Sequence, residues 1–416
     1  MTPATLLDDF SNQPLPATAR GGVAVVPHVV AWNLTQRCNL ACSHCYISAG
    51  PWQPRDDEIT GEEFQRMADE VLALSPGAMF VLTGGEPLVR SDLEELARYA
   101  VGQGATVVVG TNGVGLTEKR VASLADAGVT GVAVSIDSLD PATHNAFRHG
   151  SAALEGTLAA IERLRAAKLD FIVQTTVTPM NRHEVAELAA FSAEKGAVSF
   201  NLYFLVETGR GKTLKTLSPA ENEEVLLELT DLQKAYRGRM LVRSKCQPQL
   251  MRHIHERDPE SPLLHYGTRC PCGIQYCRIT PDGKVTPCPY LPEVAGDLRT
   301  TSFREIWEES PLFVSLRTGD LEGNCGKCEY RAICGGCRAR AFARTGNVLA
   351  TDSSCAYEPT GAPMIQVQDR IQYGSAPTAE LAWAEDATAR MQRIPSFVRS
   401  VVMGRVEDYA RKKGAA

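Results

Sequence analysis

From position 29 to about 236 the chain alternates short apolar runs with longer amphipathic ones. The β-rich runs fall at 29–34, 78–82, 106–110, 131–136, 171–177 and 198–204. Between and after them, at 61–74, 91–102, 117–127, 153–167, 182–195 and 220–236, apolar residues recur every three or four positions, as on one helix face. Ser91 before Asp92 and Glu94, and Thr117 before Glu118, predict N-caps with acidic first turns. Short strands alternating with helices predict an α/β fold whose parallel sheet is joined by helical crossovers. In such a fold, chemistry belongs to the loops after the C-terminal strand ends.

Between 244 and 359 the pattern changes to segments rich in Cys, Gly and Pro, interrupted by a short helix at 302–309. That composition predicts little apolar core, with metal ligation supplying much of the stability. A Pro- and Gly-containing linker then leads to a last amphipathic piece. In it Leu381, Ala384, Ala387 and Met391 line one helical face. Pro395 suits the first turn of a second helix, with Phe397, Val398, Val401, Val402 and Val406 facing inward. The expected division is an N-terminal segment 1–28, an α/β core 29–240, a Cys-rich unit 241–360, a linker 361–378 and a helical hairpin 379–416.

Composition narrows the function classes. With a net charge of −6 the chain predicts no dominant nucleic-acid surface. It has no apolar run long enough to span a membrane. Met1 to Asp9 lacks the basic and then apolar regions of a secretory signal, so the expected location is the cytoplasm. Thirteen cysteines in that compartment are not a disulfide framework. They gather at 38–45, 270–288 and 325–355, with Cys246 apart, and such clustering points to metal.

Cys38-Asn39-Leu40-Ala41-Cys42-Ser43-His44-Cys45 brings three thiols to one point and leaves a fourth position without a protein ligand. A structural zinc site is closed by four protein ligands, whereas an iron–sulfur cube on three thiolates keeps one iron open. A reduced, ligand-free Cys cluster is the competing reading. Thr83-Gly84-Gly85-Glu86-Pro87 follows the second strand; its glycines allow close backbone approach to a ligand and its glutamate is an acceptor. Asn112, Ser135 and Asp137 sit at the next two strand ends, where short polar side chains either meet a ligand or cap a turn. Asp282-Gly283 is a hairpin signal that returns Cys277 and Cys288 to one end of a ribbon.

The three-Cys loop, with Tyr46 after it, resembles the signature of the radical S-adenosylmethionine (SAM) superfamily. The resemblance implies a partial (β/α)6 barrel and a [4Fe-4S] cluster on Cys38, Cys42 and Cys45 whose open iron chelates SAM. It further implies SAM contacts from Gly84, Gly85, Glu86, Asn112, Ser135, Asp137 and Gln174, with Arg148 aimed at the SAM carboxylate. Cys325-x2-Cys328-x5-Cys334-x2-Cys337 and Cys355 resemble the SPASM extension, although the last pair usually has three intervening residues. That implies two auxiliary iron–sulfur clusters. One would lie on Cys325, Cys328, Cys334 and Cys355, and one on Cys272, Cys277, Cys288 and Cys337, with Cys270 as the alternative to Cys272. A zinc ribbon or knuckle is the rival for 325–337.

The segments around Pro287–Pro292 and 328–340 resemble proteins of alternative haem and haem d1 synthesis, which trim side chains of iron tetrapyrroles. The last forty residues resemble the C-terminal domain of the light-independent protochlorophyllide reductase B subunit. Together these imply oxidative modification of an iron tetrapyrrole by a SAM-derived radical, with flavodoxin or ferredoxin as electron donor. The rivals are a maturase acting on a peptide or protein and a non-catalytic iron–sulfur electron carrier. His253, His255 and His265 are expected at the surface.

Overall fold

The computed structural model describes residues 18–19, 23–51, 56–265 and 269–365, with isolated positions between 383 and 410. All six apolar runs become strands: β1 (Val29–Asn33), β2 (Met79–Thr83), β3 (Thr106–Thr111), β4 (Gly131–Ser135), β5 (Phe171–Val177) and β6 (Ser199–Phe204). The helices are α1 (Gly61–Leu74), α2 (Leu93–Gly102), α3 (Glu118–Asp126), α4 (Pro141–Arg148), α5 (Ala153–Ala166), α6 (Val185–Glu194) and α7 (Pro219–Ala235). In α1 a capping box of Thr60 and Glu63 starts the helix, and Phe64, Met67, Ala68, Val71 and Leu72 bury one face. Thr117 caps α3 as its sequence predicts. Ser91 does not cap α2. That helix starts at Leu93 without a side-chain cap, because the Asp92 carboxylate is held by Arg90 at 2.6 Å and 2.8 Å.

The sheet is larger than the predicted six units. β7 (Leu241–Lys245) adds parallel to β6, and β8 (Tyr276–Ile279), from the Cys-rich unit, adds parallel to β1. The antiparallel β9 (Lys284–Thr286) and β10 (Gly296–Asp297) follow, giving the order β10-β9-β8-β1-β2-β3-β4-β5-β6-β7. β7 was illegible as a strand because only Val242 in Leu-Val-Arg-Ser-Lys is buried. The sheet therefore runs past the predicted boundary at residue 240.

Alternation sorts the side chains into two faces. Val30 and Trp32 of β1, Phe200, Leu202 and Phe204 of β6, Val242 of β7, and Cys277 and Ile279 of β8 join the core beneath the helices. Tyr203, Arg243, Lys245, Tyr276 and Arg278 occupy the opposite face. Tyr203 of β6 and Tyr276 of β8 are electrostatic neighbours of one another and of Tyr46, although β1–β5 separate them along the sheet. The sheet thus curls into a partial barrel whose open seam lies between β7 and β8.

The Cys-rich unit does not lack a core, contrary to its composition. α8 (Leu250–Arg257), α9 (Phe303–Glu309) and α10 (Pro311–Thr318) contribute Ile254, Phe303, Ile306, Trp307, Phe313 and Leu316 to the same apolar cluster as the barrel helices. A few large side chains, each contributing about 1.5–3 kcal/mol on burial, join a core that already exists. His253 is not at the surface: it is 2% exposed, with Nε2 3.0 Å from Glu223.

Most of the expected C-terminal hairpin lies outside the described residues. Among those described, Trp383 Nε1 donates to Glu407 Oε1 at 2.8 Å, joining its two segments. Val406, expected inside, is 43% exposed, while Glu407 is 7% exposed; the Trp383 bond draws the carboxylate inward instead.

Candidate active site

Parallel strands deliver the loops after β1–β7 to one rim. The Cys loop follows β1, and its stem is fixed by Glu58, whose Oε1 accepts from Thr35 Oγ1 at 2.9 Å and Gln36 N at 2.8 Å. Backbone amides aim at the sulfurs: Leu40 N lies 3.4 Å from Cys38 Sγ and Ala49 N 3.3 Å from Cys45 Sγ. Asn112 Nδ2 reaches Cys38 Sγ at 3.9 Å and donates to Asn39 Oδ1 at 2.7 Å. Burial pushes the Cys38 thiol up to about 12. Only a strongly bonding metal would hold it as thiolate, and the amides are placed to receive that charge.

The two glycines of the second motif make a close contact within the protein. A Cβ at Gly84 would lie 2.6 Å from Thr35 O, and one at Gly85 2.1 Å from Arg37 O. They let the β2 loop pack against the stem of the Cys loop, with Gly85 N donating to Thr35 O at 2.7 Å. Glu86 is buried, and its carboxylate accepts from Thr111 Oγ1 (2.7 Å), Asn112 N (2.8 Å) and Leu88 N (3.1 Å). With its own N donating to Arg37 O at 2.9 Å, Glu86 ties the β1, β2 and β3 loops together.

Asp137 and Arg148 meet one another. Arg148 Nε and Nη2 each lie 2.7 Å from Asp137 Oδ2, and Thr176 N donates to Asp137 Oδ1 at 2.8 Å. Burial disfavours the carboxylate form, but the Arg148 guanidinium, together with His44, His144 and the Thr176 amide, holds Asp137 below its usual range. Burial lowers His44 and His144 to about 4, so both are neutral. Ser135 pairs with Gln174 across the β4–β5 ladder, and Gln174 Nε2 donates to Tyr203 Oη at 3.3 Å.

Arg210, after β6, was missed. Its N donates to Cys45 O at 3.0 Å and its Nε to Cys42 O at 2.8 Å, while Nη2 is buried without a partner. Gly209 (φ +54°) permits the approach, since a Cβ there would lie 2.4 Å from Cys45 O. A Gly-Arg-Gly at a strand end was the available signal. With His44 Nδ1 and His144 Nε2 also orphaned, the rim carries unspent polar atoms around the Cys loop. These atoms and the sulfur-directed amides fit an iron–sulfur cluster with a polar ligand beside it.

Cys325, Cys328, Cys334 and Cys355, grouped by the SPASM resemblance, line one cleft. Asp352 N (3.4 Å) and Arg338 Nη2 (3.6 Å) point at Cys325 Sγ, and Gly336 N (3.4 Å) points at Cys334 Sγ. Gly335 and Gly336 both have positive φ, +66° and +65°, which turns Cys337 away from Cys334 within two residues.

Cys337 joins another group. Thiol contacts run from Cys246 to Cys337, to Cys270, to Cys272 and to Cys288, along the β7–β8 seam. They form a string rather than a knot; among the described residues no three His, Cys, Asp or Glu side chains converge as a single-ion site. Cys277, expected here, lies instead in the core face of β8 with Arg317 as its charged neighbour. Strand alternation sends it away from Tyr276 and Arg278. Cys246, expected to stand alone, takes a place in the string; its positive φ (+59°) turns the chain at the end of β7.

Residues 270–338 match the SPASM iron–sulfur cluster-binding domain, and 32–192 match the radical SAM superfamily. Over 343 residues, 80% of this chain and 97% of the relative, it is 39% identical to the AdoMet-dependent heme synthase of Methanosarcina barkeri. The chain belongs to the radical SAM superfamily. It is a radical SAM/SPASM enzyme, also 31% identical to the pre-heme d1 synthase of Dinoroseobacter shibae over 84% of this chain and 90% of that one. Residues 383–416 separately match the proto-chlorophyllide reductase 57 kD subunit. The radical SAM/SPASM fold is shared with Streptococcus suis SuiB bound to precursor peptide SuiA. There the TM-score is 0.67 at 15% identity, covering 80% of this chain and 77% of that one. Among the described residues, no helix is long and apolar enough to cross a membrane.

Proposed function

We propose that this radical SAM enzyme oxidatively modifies an iron tetrapyrrole, removing or trimming a carboxylate side chain. The observation that carries the reading is an aromatic wall linking the two metal-binding regions. Tyr46, beside Cys45, lies 5.3 Å from Tyr290, which lies 6.4 Å from Tyr203, and Tyr276 has Cys246 and Cys288 among its electrostatic neighbours. Such a wall suits a flat macrocycle held between the Cys loop and the seam thiols. The 39% identity to a heme synthase favours the same substrate class.

With a [4Fe-4S] cluster on Cys38, Cys42 and Cys45, bound SAM supplies a 5′-deoxyadenosyl radical. Gly84, Gly85 and the Glu86-tied loops shape the pocket for SAM. Asn112, Ser135, Asp137 and Gln174 edge it, and Arg148 and Arg210 supply positive charge for its carboxylate. One auxiliary cluster is assigned to Cys325, Cys328, Cys334 and Cys355. The other draws its ligands from Cys246, Cys270, Cys272, Cys288 and Cys337, and would take the electron left on the substrate. A flavodoxin or ferredoxin is the proposed electron donor.

The test is anaerobic turnover of the reconstituted protein with SAM, reductant and an iron porphyrin bearing propionates. The expected products are 5′-deoxyadenosine carrying one substrate hydrogen, carbon dioxide, and a porphyrin lighter by CO2 and two hydrogens, the second hydrogen leaving as a proton while its electron passes to an auxiliary cluster. Formation of 5′-deoxyadenosine with the porphyrin left unchanged would refute the tetrapyrrole substrate and return the peptide reading to first place.

A further inference from the structure

The inner face of β7 carries two cations that make no ion pair with a carboxylate among the described residues. Arg243 and Lys245 alternate with the core residue Val242 and so project into the barrel, about 7 Å apart along one strand face. In register they pair with Asn201 and Tyr203 of β6, which bring no negative charge. Arg243 Nε is buried without a hydrogen-bond partner. The charged neighbours of the Lys245 ammonium are Arg243, which repels it, and the Cys246 thiol. Across the barrel, Arg278 is bound to Thr286 Oγ1 at 2.9 Å and to Pro289 O at 3.1 Å, adding a third cation, which has Asp282 of the β8–β9 turn as its carboxylate neighbour. Tyr203, Arg243 and Lys245 each keep some accessible surface, although protein surrounds Tyr203 and Lys245.

Buried charges are ordinarily paired, because removing an ion from water costs several kcal/mol. Two cations facing an enclosed aromatic space therefore call for anions from a ligand. We propose that Arg243 and Lys245 form the edge of the substrate pocket that recognises carboxylates, two of which they engage on one rim of a flat macrocycle lying against the tyrosines. This rests on the tetrapyrrole reading above and adds the residues that select a polycarboxylate over an uncharged ring. The competing role for the same charges is to balance an anionic cluster on Cys246.

The test uses full-chain, anaerobically reconstituted protein, with Arg243→Gln, Lys245→Gln and the charge-preserving Lys245→Arg. Each is titrated by absorbance with an iron porphyrin bearing four propionates and with its tetramethyl ester, and iron content is measured in parallel. Wild type is expected to bind the acid more tightly than the ester. Each Gln variant should bind the acid at least about tenfold more weakly, the loss typical of one charge-assisted contact. Ester binding and iron content stay at the wild-type level, and Lys245→Arg retains acid binding. Unchanged acid binding in both Gln variants overturns the proposal, as does a wild type indifferent to esterification, and either leaves the macrocycle reading standing. Loss of iron in the Gln variants assigns the cations to the cluster instead. Failure of wild type to bind either porphyrin sinks the tetrapyrrole reading and this assignment with it.

Discussion

The Cys38 loop gathers its three thiols from positions 38–45, whereas the seam between β7 and β8 draws five from positions 246 to 337. In the first region local spacing creates the site, and the fold only presents it. In the second the fold creates the site, and spacing misleads. Cys277 is well spaced from Cys288 but lies on the wrong face of a strand, while Cys246 is remote in sequence and adjoins Cys337. Ligand spacing is therefore informative within one loop. Across strands, the two-residue alternation decides which thiols meet.

The largest expected effect tests the first region alone. Replacing Cys38, Cys42 and Cys45 together with Ala should abolish 5′-deoxyadenosine formation and remove roughly a third of the bound iron. The remaining auxiliary iron should keep its absorption, since no seam or cleft thiol depends on that loop. Loss of all iron would mean that the two regions assemble as one unit, and the contrast between them would fail.

The second region is tested by a pair of substitutions whose ranking reverses the sequence-based expectation. Cys246→Ser should lose iron and auxiliary-cluster signal. Cys277→Val, close in volume and set in an apolar face, should keep both and change stability by less than about 1.5 kcal/mol. If Cys277→Val loses the cluster and Cys246→Ser keeps it, the seam assignment is wrong. A narrower effect is expected at Gly336, where φ is +65° and a Cβ would stand 2.9 Å from Cys325 Sγ. Gly336→Ala should cost about 1–2 kcal/mol of backbone strain and reduce iron in the cleft holding Cys325 while sparing SAM cleavage by the barrel.

The same contrast explains what was legible. The six central strands and, α4 (Pro141–Arg148) apart, their helices follow from period alone, because the faces they turn to one another are apolar stripes. β7 and β8 escape that reading. Their inner faces line a polar interior, so Arg243, Lys245, Tyr276 and Arg278 erase the apolar run. Around the Cys loop, the motif residues were visible but their tasks were not. Gly84 and Gly85 read as space for a ligand and admit the backbone of Thr35 to Arg37. Arg148 and Asp137 read as two separate ligand contacts and form one buried pair. Arg210 carried no signal beyond its glycines, since its contacts are to backbone carbonyls 165 or more positions away.

A last prediction, confined to one pH window, separates the buried ionisable groups of the barrel rim. Burial lowers His144 to about 4, with Arg148 adding to the shift, while an unfolded histidine titrates near 6.5. Below about 6.5 the unfolded chain takes up a proton that the folded rim refuses, so stability falls as pH drops toward 4. From this one group the loss is about 2–3 kcal/mol, at 1.36 kcal/mol per unit. Asp137 acts in a lower window. Held down by Arg148 against the opposing effect of burial, it stabilises the fold above its unfolded value near 3.9 and ceases to do so as pH falls further. His44, also lowered to about 4, acts in the same window, so His144→Gln should make the decline between pH 6.5 and 4 in urea-unfolding midpoints shallower by about half and leave the fall below 4 in place. A variant that keeps the wild-type slope from 6.5 to 4 would show that some other group refuses the proton there. The rim around the Cys loop would then lose the neutral histidine that sets it apart from the thiol-only seam.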